Sequence, residues 1–291
     1  MFKLSIELSI VIPNWNGESF ITRCISSLDI SAKLADVSYE IIVVDDKSED
    51  NSVEKIKSCF PKITIIENEK NLGFGKTCNI GIEKSQGRLI ALSNNDIVVR
   101  QDYISKMLRH FKDDKVFAVS AKTVDWFTNE PNHLCMNGDF QKGEFVLRYS
   151  DPDKFCETKF FQGGSCILKK DMFQELGGFN ELFYPGYWED YDIAYKAYKR
   201  GYKIIYEPES VALHLGKSSF RRRYGDDYIN ILIERNRFIF MWLNMNRADA
   251  VKHFFLLSFN LTKNLLKGER NTIKGFIKAL PKYIKTFKKN Y

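Results

Sequence analysis

Over residues 1–123 two patterns take turns along the chain. Five short runs are apolar and β-rich: "LSIVIP" (8–13), "YEIIVVD" (39–45), "ITIIEN" (63–68), "RLIALS" (88–93) and "VFAVSAKT" (116–123). Between them, four stretches read as helices, at roughly 18–31, 51–59, 75–84 and 101–112. Runs that are apolar on both faces suit buried parallel strands, and their alternation with helices predicts a doubly wound α/β sheet. Residues 124–158 lose that rhythm. Asn-Gly and Lys-Gly turns inside "MNGDFQKGEFVLRYS" (136–150) predict a hairpin-like insertion. "WEDYD" opens a helix over 189–200, a further β-rich run precedes His214, and three helices follow near 225–243, 247–267 and 271–289.

Composition adds scale and asymmetry to this pattern. With 291 residues, 44% of them apolar, the chain can bury a substantial core in one large domain or two smaller ones. A charged fraction of 28% beside 14% aromatics excludes a disordered chain. None of the six cysteines forms a CxxC pair, and their spacing suggests neither a zinc site nor a disulfide framework. They read as small core residues of a protein in a reducing compartment. The sequence shows no N-terminal signal and no window apolar enough to span a membrane. The charge is uneven: residues 217–291 carry 17 Lys and Arg against 5 Asp and Glu, residues 1–216 carry 27 against 32. A basic tail on a mildly acidic body points to an anionic surface, membrane or nucleic acid.

In a doubly wound sheet, ligands lie outside the carboxyl ends of the strands. Those ends read "PNWNG", "DDKSEDNS", "NEKNLGFGKT" and "NNDIV", all rich in Asn, Asp or Gly. Asn94, Asn95 and Asp96, set into "LSNNDIVV", suit a turn or a divalent metal that carries a phosphate. Asp45 and Asp46 close the second strand. Helix capping accounts for Ser48 to Ser52 but not for Asp45, which can accept from a base imide or a ribose hydroxyl. A nucleoside diphosphate across this edge would place its base by Asp45 or Asp46 and its pyrophosphate by Asp96, with Mn²⁺ or Mg²⁺ between. Two commoner nucleotide motifs fail. A P-loop ending at Gly75-Lys76-Thr77 needs glycine where Lys70 stands, and a GxGxxG run from Gly73 needs glycine where Cys78 stands.

Taken in order, "SIVIPNWNG", "EIIVVDDKSEDNS", "NLGFGKTCNIGI", "LSNNDIVV" and "LGGFNELFYPGYWEDYDIAYKAYKRGYKIIYEPESVALH" resemble family 2 glycosyltransferases of the GT-A fold, especially rhamnosyltransferase-type members. The resemblance covers about residues 6–220. It implies a GT-A mixed sheet with flanking helices over residues 1–220 and a basic helical region over 221–291. Pro13, Asn14 and Asn16, with Asp45 or Asp46, match the pocket for base and ribose. Asn94-Asn95-Asp96 matches the DxD metal motif, with Asn94 in place of the first Asp. Asp96 becomes the principal ligand of Mn²⁺ or Mg²⁺, and Asn94 a helper or sugar contact. Gly73 is assigned to the nucleotide-sugar pocket, and Lys76 and the Arg221–Arg223 run are candidates to meet the diphosphate. Asp190 matches the catalytic base, with Glu189 beside it as an acceptor contact; read alone, both suit the acidic first turn of a helix. Asp192 points to another side of that helix. His214 is structural or completes the metal or pyrophosphate site. Gly163, Gly164 and Trp188 match the acceptor side.

The implied function is an inverting, metal-dependent transfer of a sugar from dTDP-rhamnose or a UDP-sugar to a growing lipid-linked surface glycan, at the cytoplasmic face of a membrane. "IKGFIKALPKYIKTFKKNY" (273–291) repeats apolar residues and Lys at helical spacing. It reads as a packing helix with a basic outer face or as a peripheral membrane helix. No nucleic-acid module appears, so a nucleic-acid partner is not expected. A sugar nucleotidyltransferase would need a Gly-rich basic loop that "IPNWNGESF" lacks. A silent scaffold is favoured only by Asn94.

Overall fold

The computed structural model describes residues 6–133, 135–215 and 219–290. Its strands are β1 (Leu8–Asn14), β2 (Tyr39–Asp45), β3 (Thr64–Glu67), β4 (Leu89–Ser93), β5 (Ile97–Val99), β6 (Val116–Asp125), β7 (Pro131–His133), β8 (Met136–Gln141), β9 (Glu144–Tyr149), β10 (Cys156–Thr158), β11 (Ser165–Lys169) and β12 (Lys203–His214). Its helices are α1 (Ile21–Leu34), α2 (Ser52–Cys59), α3 (Phe74–Lys84), α4 (Tyr103–Leu108), α5 (Lys170–Glu175), α6 (Glu189–Lys199), α7 (Ser219–Asn244), α8 (Arg247–Leu266) and α9 (Arg270–Asn290).

The main sheet runs β10-β12-β6-β11-β4-β1-β2-β3. From β3 to β4 it is parallel, as the doubly apolar runs require. Alternate residues serve opposite faces: Leu8, Ile10 and Ile12 of β1 join the core that holds Ile21, Cys24 and Leu28 of α1, while Val11 joins the core that holds Cys78 and Ile82 of α3. The parallel order ends at β4, and beyond it the sheet is mixed, as the GT-A resemblance implies. β6 is not the neighbour of β4, because β11 enters between them antiparallel to both. The insertion before β11 lets the chain reverse and return. The three-residue β5, too short to register as a run, pairs antiparallel with β12 and brings His214 opposite Ile97. The expected helix 101–112 divides into α4 and a 3₁₀ turn over Arg109–Lys112. The expected hairpin is present as β8–β9, a separate two-stranded sheet.

The cysteine reading needs correction. Cys135 and Cys156 form a disulfide with Cα atoms 6.7 Å apart. Sequence spacing does not fix pairing, and here the folded-back insertion brings the two together. Cys24, Cys78 and Cys166 are buried thiols, as expected, and Cys59 is exposed.

The C-terminal helices share the core of the sheet. Phe240 of α7 lies 4.8 Å from the Phe145 ring of β9 and 5.1 Å from Trp188, centroid to centroid. The Asn236 side chain donates to the carbonyls of Phe183, Gly186 and Tyr187, so α7 also pins the loop that leads into α6. Asp192 of α6 is fully buried, accepting from Asn244 and pairing with Lys196 at 2.6 Å. The side chains of residues 221–222, 283 and 285–290, part of the expected basic run and of the expected amphipathic helix, lie outside the described residues.

Candidate active site

Two clefts open side by side at the carboxyl ends of the strands. The first, about 580 Å³, is lined by Asn14, Trp15, Asp46, Phe74, Asn95 and Asp96, among others. The second, about 1140 Å³, is lined by Gly163, Gly164, Trp188, Glu189, Asp190 and Tyr191, among others. Phe74 and Asn94 line both, so a molecule in one cleft reaches a molecule in the other past these two side chains.

Hydrogen bonds between short polar side chains build the wall of the first cleft. β1 and β2 run in register so that Asn14 faces Asp45. Asn14 Nδ2 donates to Asp45 Oδ1 at 2.8 Å and to Ser52 Oγ at 2.9 Å, and its Oδ1 accepts from Asn95 at 2.8 Å. Gly17 must lack a side chain, because a Cβ there would lie 2.3 Å from Asn14 Oδ1. Asp45 also accepts from the Ser48 backbone and hydroxyl at 2.9 and 2.6 Å, which turns its carboxylate inward. Asn16 is engaged in the same loop, its N–H donating to Ser48 Oγ and its Oδ1 accepting from Glu49 N. Asp46 lines the cleft while holding the following loop: it accepts from Asn68, from Leu72 N at 2.7 Å and from Gly73 N at 2.8 Å. Gly73, at φ 78°, and Lys76, paired with Glu181 at 2.7 Å, line a small hollow behind that loop instead. Arg223 pairs with Glu49 at 3.5 Å.

Asp96 is buried at the far end of the first cleft. His214 Nε2 stands 3.5 Å from its Oδ1, a meeting that the β5–β12 register imposes. The Asp96 carbonyl accepts from Leu215 N at 2.8 Å. Asn94 is placed by its neighbour strand, donating its N–H to Gly164 O at 2.9 Å. A Cβ on Gly164 would lie 2.4 Å from the Asn94 side chain, so glycine there is a condition of that approach.

The second cleft is built under strain. Tyr187 and Trp188 are consecutive aromatic residues in the left-handed region, at φ 73° and 76°. Such backbone costs about 1–2 kcal/mol per residue and persists only where surroundings hold it. The Asn236 clamp and the packing of Trp188 against Tyr191 (4.8 Å) and Phe240 hold it here. The result is a chain that turns sharply into α6 with Glu189 and Asp190 facing the cleft. Asp190 Oδ2 accepts from Gly163 N at 3.1 Å and Oδ1 from Tyr191 N at 2.9 Å. Burial pushes the Asp190 carboxyl up to about 6, against the pull of those backbone N–H groups. Glu189 is 5% exposed, and its Oε2 has no hydrogen-bond partner among the described residues. Burial, and then the charge of Asp190 beside it, pushes its carboxyl well above the ordinary range.

The structure therefore brings Pro13, Asn14, Asp46, Asn94, Asn95 and Asp96 to one cleft, and Gly163, Gly164, Trp188, Glu189 and Asp190 to the next. Sequence reasoning passed over Trp15, Asn71, Phe74 and Thr77 in the first, and Leu147, Tyr149 and Ile233 in the second. Trp15 and Phe74 lie inside the loops quoted above, which was signal enough to weigh them. Tyr149 carries no such signal, because its place depends on where the hairpin docks.

A parallel sheet that ends in a polar cleft, extended by an antiparallel strand toward a second cleft that holds Glu189 and Asp190, is the architecture of GT-A glycosyltransferases. Residues 9–177 match the family described as glycosyl transferase family 2, and the chain belongs to it. It is 24% identical over 214 residues to the O-antigen chain rhamnosyltransferase RfbN of Salmonella typhimurium, covering 72% of this chain and 66% of that protein. It is 22% identical to the glycosyltransferase GlyG of Streptococcus pneumoniae, covering 82% of this chain and 76% of that one. Among solved structures, S. aureus TarS 1–349 in complex with UDP-GlcNAc superposes with a TM-score of 0.61 at 15% identity, over 93% of this chain and 79% of that one. GalNAc-T7 with UDP, GalNAc and Mn²⁺ gives the same TM-score, 0.61, at 18% identity, over 80% of this chain and 48% of that one.

Proposed function

We propose that this glycosyltransferase moves a sugar, with inversion, from a nucleotide-sugar donor to a hydroxyl of a growing lipid-linked surface glycan. The observation that carries the reading is Asp190: a half-buried carboxylate with a raised pKa, fixed by Gly163 N, in the cleft that meets the strand-end cleft at Asn94. The donor's nucleotide occupies the first cleft and the acceptor the second. The acceptor hydroxyl gives its proton to Asp190 as its oxygen forms the bond to the anomeric carbon. The bond from that carbon to the diphosphate oxygen breaks, and the nucleoside diphosphate leaves with the electron pair. A base with a pKa near 6 is ionised at neutral pH yet basic enough to take the proton late in the transfer.

The donor set at Asp96 is one carboxylate and one imidazole. Among the described residues no group of three or more His, Cys, Asp or Glu converges to hold an ion. That set does not suit a closed zinc site, but it suits Mn²⁺ or Mg²⁺, which take few protein ligands and complete their shell with phosphate oxygens and water. Asp96 and His214 would hold it, with Asn94 close by. Once bound, the ion offsets the charge that develops on the leaving diphosphate.

The name of RfbN supports dTDP-rhamnose as donor, and the ligands of the TarS and GalNAc-T7 structures support a UDP-sugar. No helix among the described residues is long and apolar enough to cross a membrane, so contact with a lipid-linked acceptor at the cytoplasmic face is read as peripheral. A silent scaffold is the second reading, favoured by Asn94 where a second acid is expected. Nucleoside diphosphate release from a panel of dTDP- and UDP-sugars, with Mn²⁺ and with excess chelator, separates the two. Release from one donor, abolished by chelator and restored by Mn²⁺, is the expected result. Full release in chelator contradicts the metal role, and binding without release from any donor favours the scaffold.

A further inference from the structure

α9 packs Phe276 on Phe238 and Trp242 of α7 at 5.3 and 6.1 Å between centroids and buries Ala279 fully, while its Ile277, Leu280 and Ile284 are exposed. α8 is held by His253, whose Nε2 accepts from Trp242 Nε1 at 3.1 Å and whose Nδ1 lies 2.6 Å from Gly143 O. Its other side is open. Val251, Phe255, Phe259 and Leu266 are 71, 84, 67 and 83% exposed. At the helical repeat they fall within about 80° of arc, a single stripe. Lys252, Lys263 and Lys267 follow one edge of that arc, and Phe254 and Leu265 the other.

Large apolar side chains this exposed and this aligned mark an interaction face. Charge chooses the partner. From Arg247 to Lys282 the chain carries 8 Lys and Arg against 2 acids, Asp249 and Glu269. An apolar stripe edged by lysines matches the boundary between the acyl chains and headgroups of an anionic bilayer. The face is also joined to the second cleft. The β8–β9 hairpin, whose Leu147 and Tyr149 line that cleft, is fastened to α8 through Gly143 on His253 and Glu144 on Asn260. Ile233 of α7 lines both the second cleft and a hollow at the α8–α9 turn.

We propose that the Val251–Leu266 face of α8 seats the chain on an anionic lipid surface. It deepens the reading of a lipid-linked acceptor and rests on that reading for its purpose, though not for the binding itself. It adds α8 to the contact expected of 271–291, a helix of which Phe276 and Ala279 pack on the core while Ile277 and Ile284 are exposed.

The test is sedimentation of the full chain with vesicles of phosphatidylcholine plus phosphatidylglycerol, and of phosphatidylcholine alone. Wild type is expected to partition onto the anionic vesicles at least about tenfold more than onto the neutral ones. Phe255→Ser with Phe259→Ser should lower that partition at least about tenfold. Lys252→Glu, Lys263→Glu and Lys267→Glu together should abolish the preference for anionic lipid. UDP binding by calorimetry, measured in parallel, reports failure of the transfer reading separately and should match wild type in both variants. The proposal is overturned if wild type ignores anionic vesicles or if the Phe variant binds them equally well. It is also overturned if wild type is a lipid-indifferent dimer that the Phe variant turns into a monomer, because the face is then covered by a second copy.

Discussion

The two clefts are opposites in how their polar groups are satisfied. In the first, the carboxylates of Asp45 and Asp46 are met by amides, hydroxyls and backbone N–H groups of their own loops. In the second, Glu189 Oε2 is buried without a partner among the described residues, burial pushes the Asp190 carboxyl up to about 6, and two aromatic residues stand in left-handed backbone. The first cleft is a rigid mould that binding alone requires. The second stores destabilised groups, which is where chemistry on a proton is expected. If this contrast is right, changes in the first cleft cost stability, and changes in the second cost rate while sparing or raising stability.

The largest effect belongs to Asp190. Asp190→Asn keeps the shape and removes the proton acceptor, so turnover should fall by at least about a hundredfold with donor affinity unchanged. Steady-state release of nucleoside diphosphate beside calorimetry checks it, and retained turnover would make Glu189 the base. Next comes Asp46→Ala, which strands Leu72 N, Gly73 N and the Asn68 amide. About 3 kcal/mol of stability should be lost in urea unfolding, and a variant as stable as wild type would break the contrast from the donor side. Gly164→Ala pushes on the Asn94 side chain at the junction. Turnover should drop about tenfold with a melting temperature close to wild type, if the junction positions substrates rather than packing the core.

The smallest effect has a sign that sharpens the contrast most. Glu189 holds its proton more tightly in the folded chain than in the unfolded one. Between the unfolded value, about 4.3, and its raised folded value the native state binds more protons, so stability falls as pH rises through that window. Glu189→Gln removes that slope. It should stabilise the protein by about 1 kcal/mol at pH 8 and by less at pH 5, measured by thermal unfolding at both. Destabilisation at pH 8 would mean that the ionised Glu189 is held by contacts and is not a strained group.

The parallel half of the fold was legible because β1, β2 and β4 are buried on both faces and therefore written as unbroken apolar runs. Its strand-end loops were legible for the same reason, since a known run has a known end. β11 and β5 were not, because where they insert is set by long-range pairing and a three-residue strand has no period to read. Asp190 was named through a resemblance, while its raised pKa follows from desolvation in the folded cleft, which no local pattern encodes. Asp192, two residues on and expected on another side of the helix, is a fully buried partner of Asn244 and Lys196. The hairpin was predicted, but its fastening to α8 at Gly143, which carries Tyr149 to the cleft, depends on a contact 110 residues away in sequence.

The most direct test of Asp190 as the base is the pH dependence of turnover measured beside the pH dependence of donor binding. The account predicts an acid limb in turnover centred near pH 6, where Asp190 gains its proton, and donor affinity that stays level across the same range. A limb that appears equally in donor binding, or turnover that stays level through pH 6, would contradict it.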